Sequence, residues 1–338
     1  MPHYKLALLG YGNVGKALAR LLLAKQADLK AEFDITFSVT GIATGRHGAA
    51  INPLGIDLEQ ALRAELPGLS AAPVPQDSFD FIRRCGAEVL FENTPVNYET
   101  GQPAVDHLRL ALELGMHAIT ANKGPVVHAY QDLSGLAARQ GRRFFFESAV
   151  MDGAPIFSLF REAIPTARLQ VLYGVLNSTT NMILSRMENG EAFDQAVAYC
   201  QQIGIAETDP SGDVDGWDAS VKVAALATVL MGVPVKPQEV ERTGIRGIGP
   251  AEIEAARQQG KRWKLVCSAR RTAHGVQAKV SPEQIGADSP LYRVDGTTSI
   301  VQFETDVLGK LSLIEADPGP HTTAYGLLAD FINAVRAR

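Results

Sequence analysis

Residues 4–16, Y-K-L-A-L-L-G-Y-G-N-V-G-K, decide the fold of this 338-residue chain. The apolar run 4–9 predicts a strand. Residues 16–25 predict a helix, with Ala17, Leu18, Leu21 and Leu22 on one face. Between them lies G-x-G-x-x-G. Gly10 allows the tight turn, Gly12 lets a pyrophosphate approach the backbone, and Gly15 lets helix and strand pack closely. The helix N-terminus offers amides and positive potential to phosphates. A lone G-x-G-x-x-G is a weak signal; the strand before it and the helix after it make it a dinucleotide site. Gly10, Gly12, Asn13, Val14 and Gly15 are the candidate cofactor contacts.

Working outward, residues 35–43 predict the second strand. An NAD site places an acid near the end of that strand to hold the ribose hydroxyls. Here Thr44-Gly45-Arg46-His47 follows, with no acid between residues 35 and 56. A carboxylate repels a 2′-phosphate and an arginine fork binds it, so NADP is the expected cofactor and Arg46 its reader; the plainer reading makes Arg46 an ordinary loop cation. A Gly/Pro/Ala-rich connection, 48–75, carries one expected helix, 58–65. Helices are expected at 79–84, 103–114 and 133–140, and strands at 88–92, 117–122 and 143–148. Thr94 and Lys123 follow strand ends, at the edge that faces the cofactor in open α/β sheets. This alternation predicts an N-terminal Rossmann-type doubly wound parallel sheet.

Beyond Val150 the pattern changes. A connecting helix is expected to start at Met151. A strand, 169–176, leads into Asn177-Ser178-Thr179-Thr180-Asn181, which suits a capped helix start or a ligand-facing turn and makes Asn177 and Thr179 candidate substrate contacts. A helix at 193–203 precedes E-T-D-P-S-G-D-V-D-G-W-D-A-S-V-K, residues 207–222. That stretch brings Glu207, Asp209, Asp213, Asp215 and Asp218 near one lysine. Its first part is broken by Pro210, Ser211, Gly212 and Gly216. Its second part is a helix that Asp215 is expected to cap, with Asp218 and Lys222 four residues apart on one face. The plainer reading is a solvated loop and a surface ion pair. The apolar run after Lys222 favours a partly buried acid–base lysine. The spacing excludes an EF-hand. Residues 262–270, 275–280, 299–305 and 309–315 alternate like strands of a second, α+β domain, and 322–335 is a last amphipathic helix.

The net charge of −5 argues against nucleic acid or an anionic membrane as the main partner. No apolar run approaches a membrane span, and the N-terminus lacks signal-peptide architecture, so a cytoplasmic protein is expected. Cys85, Cys200 and Cys267 are widely spaced and odd in number, as in reduced thiols.

T-A-N-K-G-P (120–125), G-V-L-N-S-T-T-N (174–181) and A-E-T-D-P-S-G-D-V-D-G-W-D-A-S-V-K (206–222) resemble the homoserine dehydrogenase family, in the short form without a C-terminal regulatory ACT domain. The resemblance spans essentially the whole chain. It implies NAD(P)-dependent interconversion of L-homoserine and L-aspartate 4-semialdehyde in threonine, methionine and isoleucine biosynthesis. It gives Lys222 the acid–base role, with Asp218 orienting it and Lys123 reaching the reaction centre. It gives Glu207, helped by Asp213 and Asp218, the substrate's ammonium, and Thr94 and Lys123 the cofactor. The backbone around Glu147, Val150, Asp152 and Ala154 resembles a monovalent-cation loop for Na+. The resemblance also implies a homodimer or homotetramer built through the second domain's sheet, and a last helix returning to the nucleotide domain. The expected division is 1–150 for dinucleotide binding, 151–318 for catalysis and oligomerisation, and 319–338 for that helix. Ser178 and Asp152 depart from the family's usual glycines. They keep open a related dehydrogenase of another small amino or hydroxy acid. A non-catalytic nucleotide sensor is the alternative of a different class, but it has no need of Lys222, Asp218 and Lys123 together.

Overall fold

The structure, a computed structural model, describes residues 1–63 and 65–336. The chain forms two compact units, Met1–Pro155 with Gly319–Arg338, and Ile156–Pro318.

The first unit contains strands β1 (His3–Leu9), β2 (Thr36–Ala43), β3 (Ala49–Ile51), β4 (Val89–Glu92), β5 (His117–Thr120) and β6 (Phe144–Phe145). Its helices are α1 (Asn13–Phe33), α2 (Leu58–Ala61), α3 (Ser78–Arg84), α4 (Ala104–Glu113) and α5 (Lys123–Arg139). The sheet order is β3-β2-β1-β4-β5-β6, parallel except for the β2–β3 pair. Both faces of β1 are buried, which is why it reads as a continuous apolar run. Leu6 and Leu8 join Leu18 and Leu22 of α1 in one core, while Ala7 and Leu9 join Phe81 and Ile82 of α3 in another.

Several elements differ from expectation for local reasons. Helix α1 runs on to Phe33, because residues 26–32 are mostly good helix formers, and it stops at Asp34 in the left-handed region (φ 58°). The short β3 is an unforeseen hairpin partner of β2, its turn closed by the Thr44 N–H donating to Gly48 O at 2.9 Å. The helix expected at 58–65 contracts to α2, capped by Asp57, and Pro67 opens a 3-10 turn at Leu66–Leu69; Ala64 lies outside the described residues. Helix α5 starts ten residues early. Asn122 caps it by accepting the Gly124 N–H at 3.0 Å, Pro125 is tolerated in its first turn, and its path is interrupted at Ala129. Strand β6 is only two residues long, because Glu147–Ala149 turns into a 3-10 helix.

The second unit contains β7 (Leu169–Val175), α6 (Ser178–Glu188), α7 (Phe193–Gln202), α8 (Ser211–Val214), α9 (Trp217–Leu230), β8 (Glu241–Arg242), α10 (Pro250–Gln258), β9 (Lys261–Thr272), β10 (Gly275–Gly286), β11 (Ser299–Thr305) and β12 (Gly309–Glu315). Its sheet order is β12-β11-β7-β9-β10-β8, antiparallel except for β8–β10. No helix starts at Met151; the connection instead makes a π-helical turn at Leu159–Ala163. Strand β10 continues through Pro282. Its other neighbour, β8, pairs only with Lys279 and Val280, so beyond them β10 is an edge strand where proline is tolerated. Gly216, not Asp215, caps α9, and one helical turn, α8, forms inside the acidic stretch.

Helix α11 (Pro320–Val335) belongs to the first unit. Its Leu327 and Phe331 complete the core that holds Leu18 and Leu22. Cys85, Cys200 and Cys267 are free and buried. Among the described residues, no helix is long and apolar enough to cross a membrane.

Candidate active site

The turn between β1 and α1 is shaped by what its glycines lack. Gly10 has φ 96°, and a Cβ there would lie 2.3 Å from Asn93 O. A Cβ on Gly15 would lie 2.3 Å from Gly10 O. These two positions serve the fold itself. A Cβ on Gly12 would meet nothing within 4 Å, so this is the open approach to the backbone. Asn13 and Val14 open α1, whose first turn has no acidic residue to screen its positive end.

Arg46 is exposed in the β2–β3 turn. Close by, a cavity of about 160 Å³ is lined by Tyr11, Lys16, Thr44, His47, Arg63 and Glu65, among others; Arg46 is not part of its wall. Tyr11 is only 4% exposed, its hydroxyl has no hydrogen-bond partner among the described residues, and burial pushes its pKa up to about 12. Sequence reasoning missed Lys16, His47 and Arg63 here, because three distant segments build the cavity.

Thr94 and Lys123 follow the carboxyl ends of β4 and β5. Lys123 is the first residue of α5, and Asn122 before it donates from Nδ2 to Thr94 O at 3.2 Å. Glu92, at the end of β4, accepts the Thr94 N–H at 3.0 Å and is fully buried.

In the second unit, Asn177 caps α6 by accepting the Thr180 N–H at 2.8 Å. The five-residue polar run is thus the start of a helix. The Asn177 amide also donates to Asp213 Oδ1 at 2.6 Å and Asp218 Oδ2 at 3.0 Å. Lys222 Nζ stands 3.4 Å from Asp218 and donates to Leu176 O at 2.5 Å, with side-chain exposures of 14% for Lys222 and 11% for Asp218. Thr179 donates to Ile205 O at 3.0 Å and supports Asp213. Burial and the neighbouring Asp218 push the Asp213 carboxyl upward, against Asn177, Lys222 and Thr179.

The other acids of the stretch have settings of their own. Asp215 pairs with Arg246 at 2.5 Å rather than capping α9. Asp209 accepts the Ser211 N–H at 3.0 Å, and Glu207 is exposed, its segment tied by Gln201 donating to Glu207 O at 3.1 Å. Of the five carboxylates, Asp213 and Asp218 share the Asn177 amide beside Lys222.

In the loop read as a cation site, Glu147 and Val150 are buried, and the Glu147 N–H donates to Asp330 Oδ2 at 2.7 Å. Asp152 takes a positive φ of 36° and accepts from Thr322 Oγ1 at 3.2 Å, while the Ala154 N–H donates to Met151 O at 2.8 Å. No group of three or more His, Cys, Asp or Glu gathers as metal ligands among the described residues.

Comparison with known proteins gives these features a common setting. The family model described as homoserine dehydrogenase matches residues 155–332, and that described as the homoserine dehydrogenase NAD-binding domain matches residues 10–147. The NAD(+)-dependent homoserine dehydrogenase of Pseudomonas canavaninivorans is 34% identical over 98% of this chain and 96% of that protein. The crystal structure of a homoserine dehydrogenase from Thiobacillus denitrificans is similar with a TM-score of 0.85 and 28% identity, covering 99% of this chain and 74% of that one. A hyperthermophilic archaeal homoserine dehydrogenase mutant in complex with NADPH matches with a TM-score of 0.82 and 28% identity, covering 98% of each chain. With both units matched and near-full-length identity above 30%, the chain belongs to the homoserine dehydrogenase family.

Proposed function

We propose that the chain interconverts L-homoserine and L-aspartate 4-semialdehyde with Lys222 as its acid–base group and NADP as its preferred cofactor. The observation that carries this reading is the Asn177–Asp213–Asp218–Lys222 cluster. In the reducing direction the aldehyde oxygen gains negative charge as its carbon gains a hydride. The Lys222 ammonium stabilises that charge and donates the proton; in the oxidising direction the amine takes it back. Asp218 and the Leu176 carbonyl aim the ammonium. Glu207, helped by Asp213, receives the substrate's α-ammonium. A bound nicotinamide cofactor supplies or accepts the hydride. Gly12 and the start of α1 suit its pyrophosphate, and Thr94 and Lys123 its nicotinamide side.

The preference for NADP rests on the missing acid after β2 and on the cations Arg46, Lys16 and Arg63, with His47 beside them. Backbone oxygens of the 147–154 loop are the proposed seat of Na+, and the second unit's sheet is the proposed homodimer or homotetramer contact. The reaction serves threonine, methionine and isoleucine synthesis. The test is nicotinamide absorbance with L-homoserine and NADP, beside NAD and a panel of other small hydroxy and amino acids. Fastest turnover with homoserine and NADP is expected. Faster turnover of another acid makes the chain a related dehydrogenase, and NADP binding without turnover of any substrate makes it a nucleotide sensor.

A further inference from the structure

Glu92 is a fully buried carboxyl at the carboxyl end of β4. Its residue exposure is 0%. Oε1 accepts both the N–H and the hydroxyl of Thr94. Thr120 Oγ1 lies 2.9 Å from Oε2 and 2.8 Å from the Glu92 carbonyl oxygen, and it accepts the Asn122 N–H at 2.9 Å. Asn122 then caps α5 through the Gly124 N–H and reaches back to Thr94 O. One carboxyl therefore ties together the loop after β4 and the loop after β5, which carry Thr94 and Lys123.

The hydrogens can be counted. A threonine hydroxyl has one proton to give and two lone pairs to receive. Thr120 faces two acceptors, the Glu92 carbonyl and Oε2, and its single proton serves one of them. A proton on Oε2, donated to Thr120 Oγ1, leaves the hydroxyl free to serve the carbonyl. Oγ1 then accepts from Asn122 and from Oε2, and every contact in the network has its hydrogen. The side chains that hydrogen-bond to the carboxyl, Thr94, Thr120 and Asn122, are all uncharged. An isolated carboxylate is costly to bury, and burial outweighs the hydrogen bonds and raises the Glu92 pKa.

We propose that Glu92 is a neutral carboxylic acid and a positioning residue, the tie that holds Thr94 and the start of the Lys123 helix in register for the cofactor. The inference rests on the reading that those two residues face the cofactor. Glu92→Ala should free both loops and lower kcat/KM for NADP on the order of 10²-fold, as small misplacements near reacting groups do. Glu92→Gln should recover that loss to within about threefold of wild type, because its amide can donate to Thr120 while its oxygen still accepts from Thr94. Wild-type protein should show the infrared carbonyl stretch of a protonated acid that Glu92→Gln lacks. The stability difference between wild type and Glu92→Gln carries a sign. A raised folded pKa gives stability that is full below the unfolded glutamate value, about 4.3, and is lost as pH climbs through the folded value. The melting temperature of wild type minus that of Glu92→Gln should therefore fall as pH rises. Glu92→Gln as damaged as Glu92→Ala, or no protonated band, would overturn the proposal; should Glu92→Ala not fold, Glu92→Gln and the band still decide it. The cofactor-side reading fails separately, if Thr94→Val and Lys123→Ala leave NADP affinity unchanged, and that result leaves the band untouched.

Discussion

The start of α1 and the paired starts of α6 and α9 are opposite kinds of site. The first works by absence: three glycines, an open backbone at Gly12 and no acid in the first turn. The second works by presence: one amide, two carboxylates and one ammonium, each satisfying another. A diphosphate spreads its charge over several oxygens, and backbone amides at a helix end meet it without a fixed side chain. A proton transfer needs one atom at one place, and only a held side chain supplies that. The first site should therefore break when an atom is added, and the second when atoms are removed.

The largest effect on the first site is expected from Gly10→Ala. The added carbon meets Asn93 O at 2.3 Å at a φ of 96°, and about 3 kcal/mol or more of stability should be lost in thermal unfolding. Gly12→Ala sharpens the contrast, because nothing lies within 4 Å. It should melt close to wild type yet raise the NADP dissociation constant at least about tenfold, or roughly 1.4 kcal/mol. Normal NADP binding by Gly12→Ala would end the idea of a backbone cradle.

On the second site, Asn177→Ala removes a cap and the amide shared by two acids, and should cost about 1–3 kcal/mol in denaturant unfolding. Asn177→Asp keeps the cap but adds a third carboxylate, so it should restore part of the stability at low pH and less at neutral pH. Equal stability of Asn177→Ala and wild type would reduce the cluster to a surface contact.

Glu207→Ala should raise the homoserine KM on the order of tenfold with kcat nearly unchanged, the mark of an interaction made equally in ground and transition states. Glu207→Asp should recover only part. An unmoved KM in both would return Glu207 to the solvated acids. Smallest is Arg46→Ala, since Arg46 is exposed and outside the cavity wall. It should weaken NADP about tenfold or less and leave NAD unaffected. Equal weakening of both cofactors would remove its 2′-phosphate role, and Arg63→Ala is then the next variant to titrate.

The same contrast explains what could be read from sequence. The glycine turn is local: strand, glycines and helix occupy consecutive residues, and the doubly wound sheet follows from their repetition. Lys222 and Asp218, four apart on one helix, were equally legible. Their partners were not. Asp215 is drawn to Arg246, 31 residues away, and Asp213 meets Asn177, 36 residues away. Five acids in a row looked alike until those long-range contacts sorted them. Glu92 was hidden for a related reason. An acid at a strand end reads as exposed, and Thr120, 28 residues on, is part of what encloses it. Short pieces such as β3 and α8 were lost because three or four residues carry no periodicity to detect.

The most direct test of the account is the steady-state kinetics of Lys222→Ala with L-homoserine and NADP, in protein shown to be folded and to bind NADP like wild type. The account predicts that kcat and kcat/KM fall together by about 10²–10⁴-fold, with no rescue in Lys222→Arg, whose guanidinium stays protonated. A Lys222→Ala variant that keeps more than about a tenth of wild-type kcat, far short of the loss of a general acid, would contradict it and move the proton to Lys123.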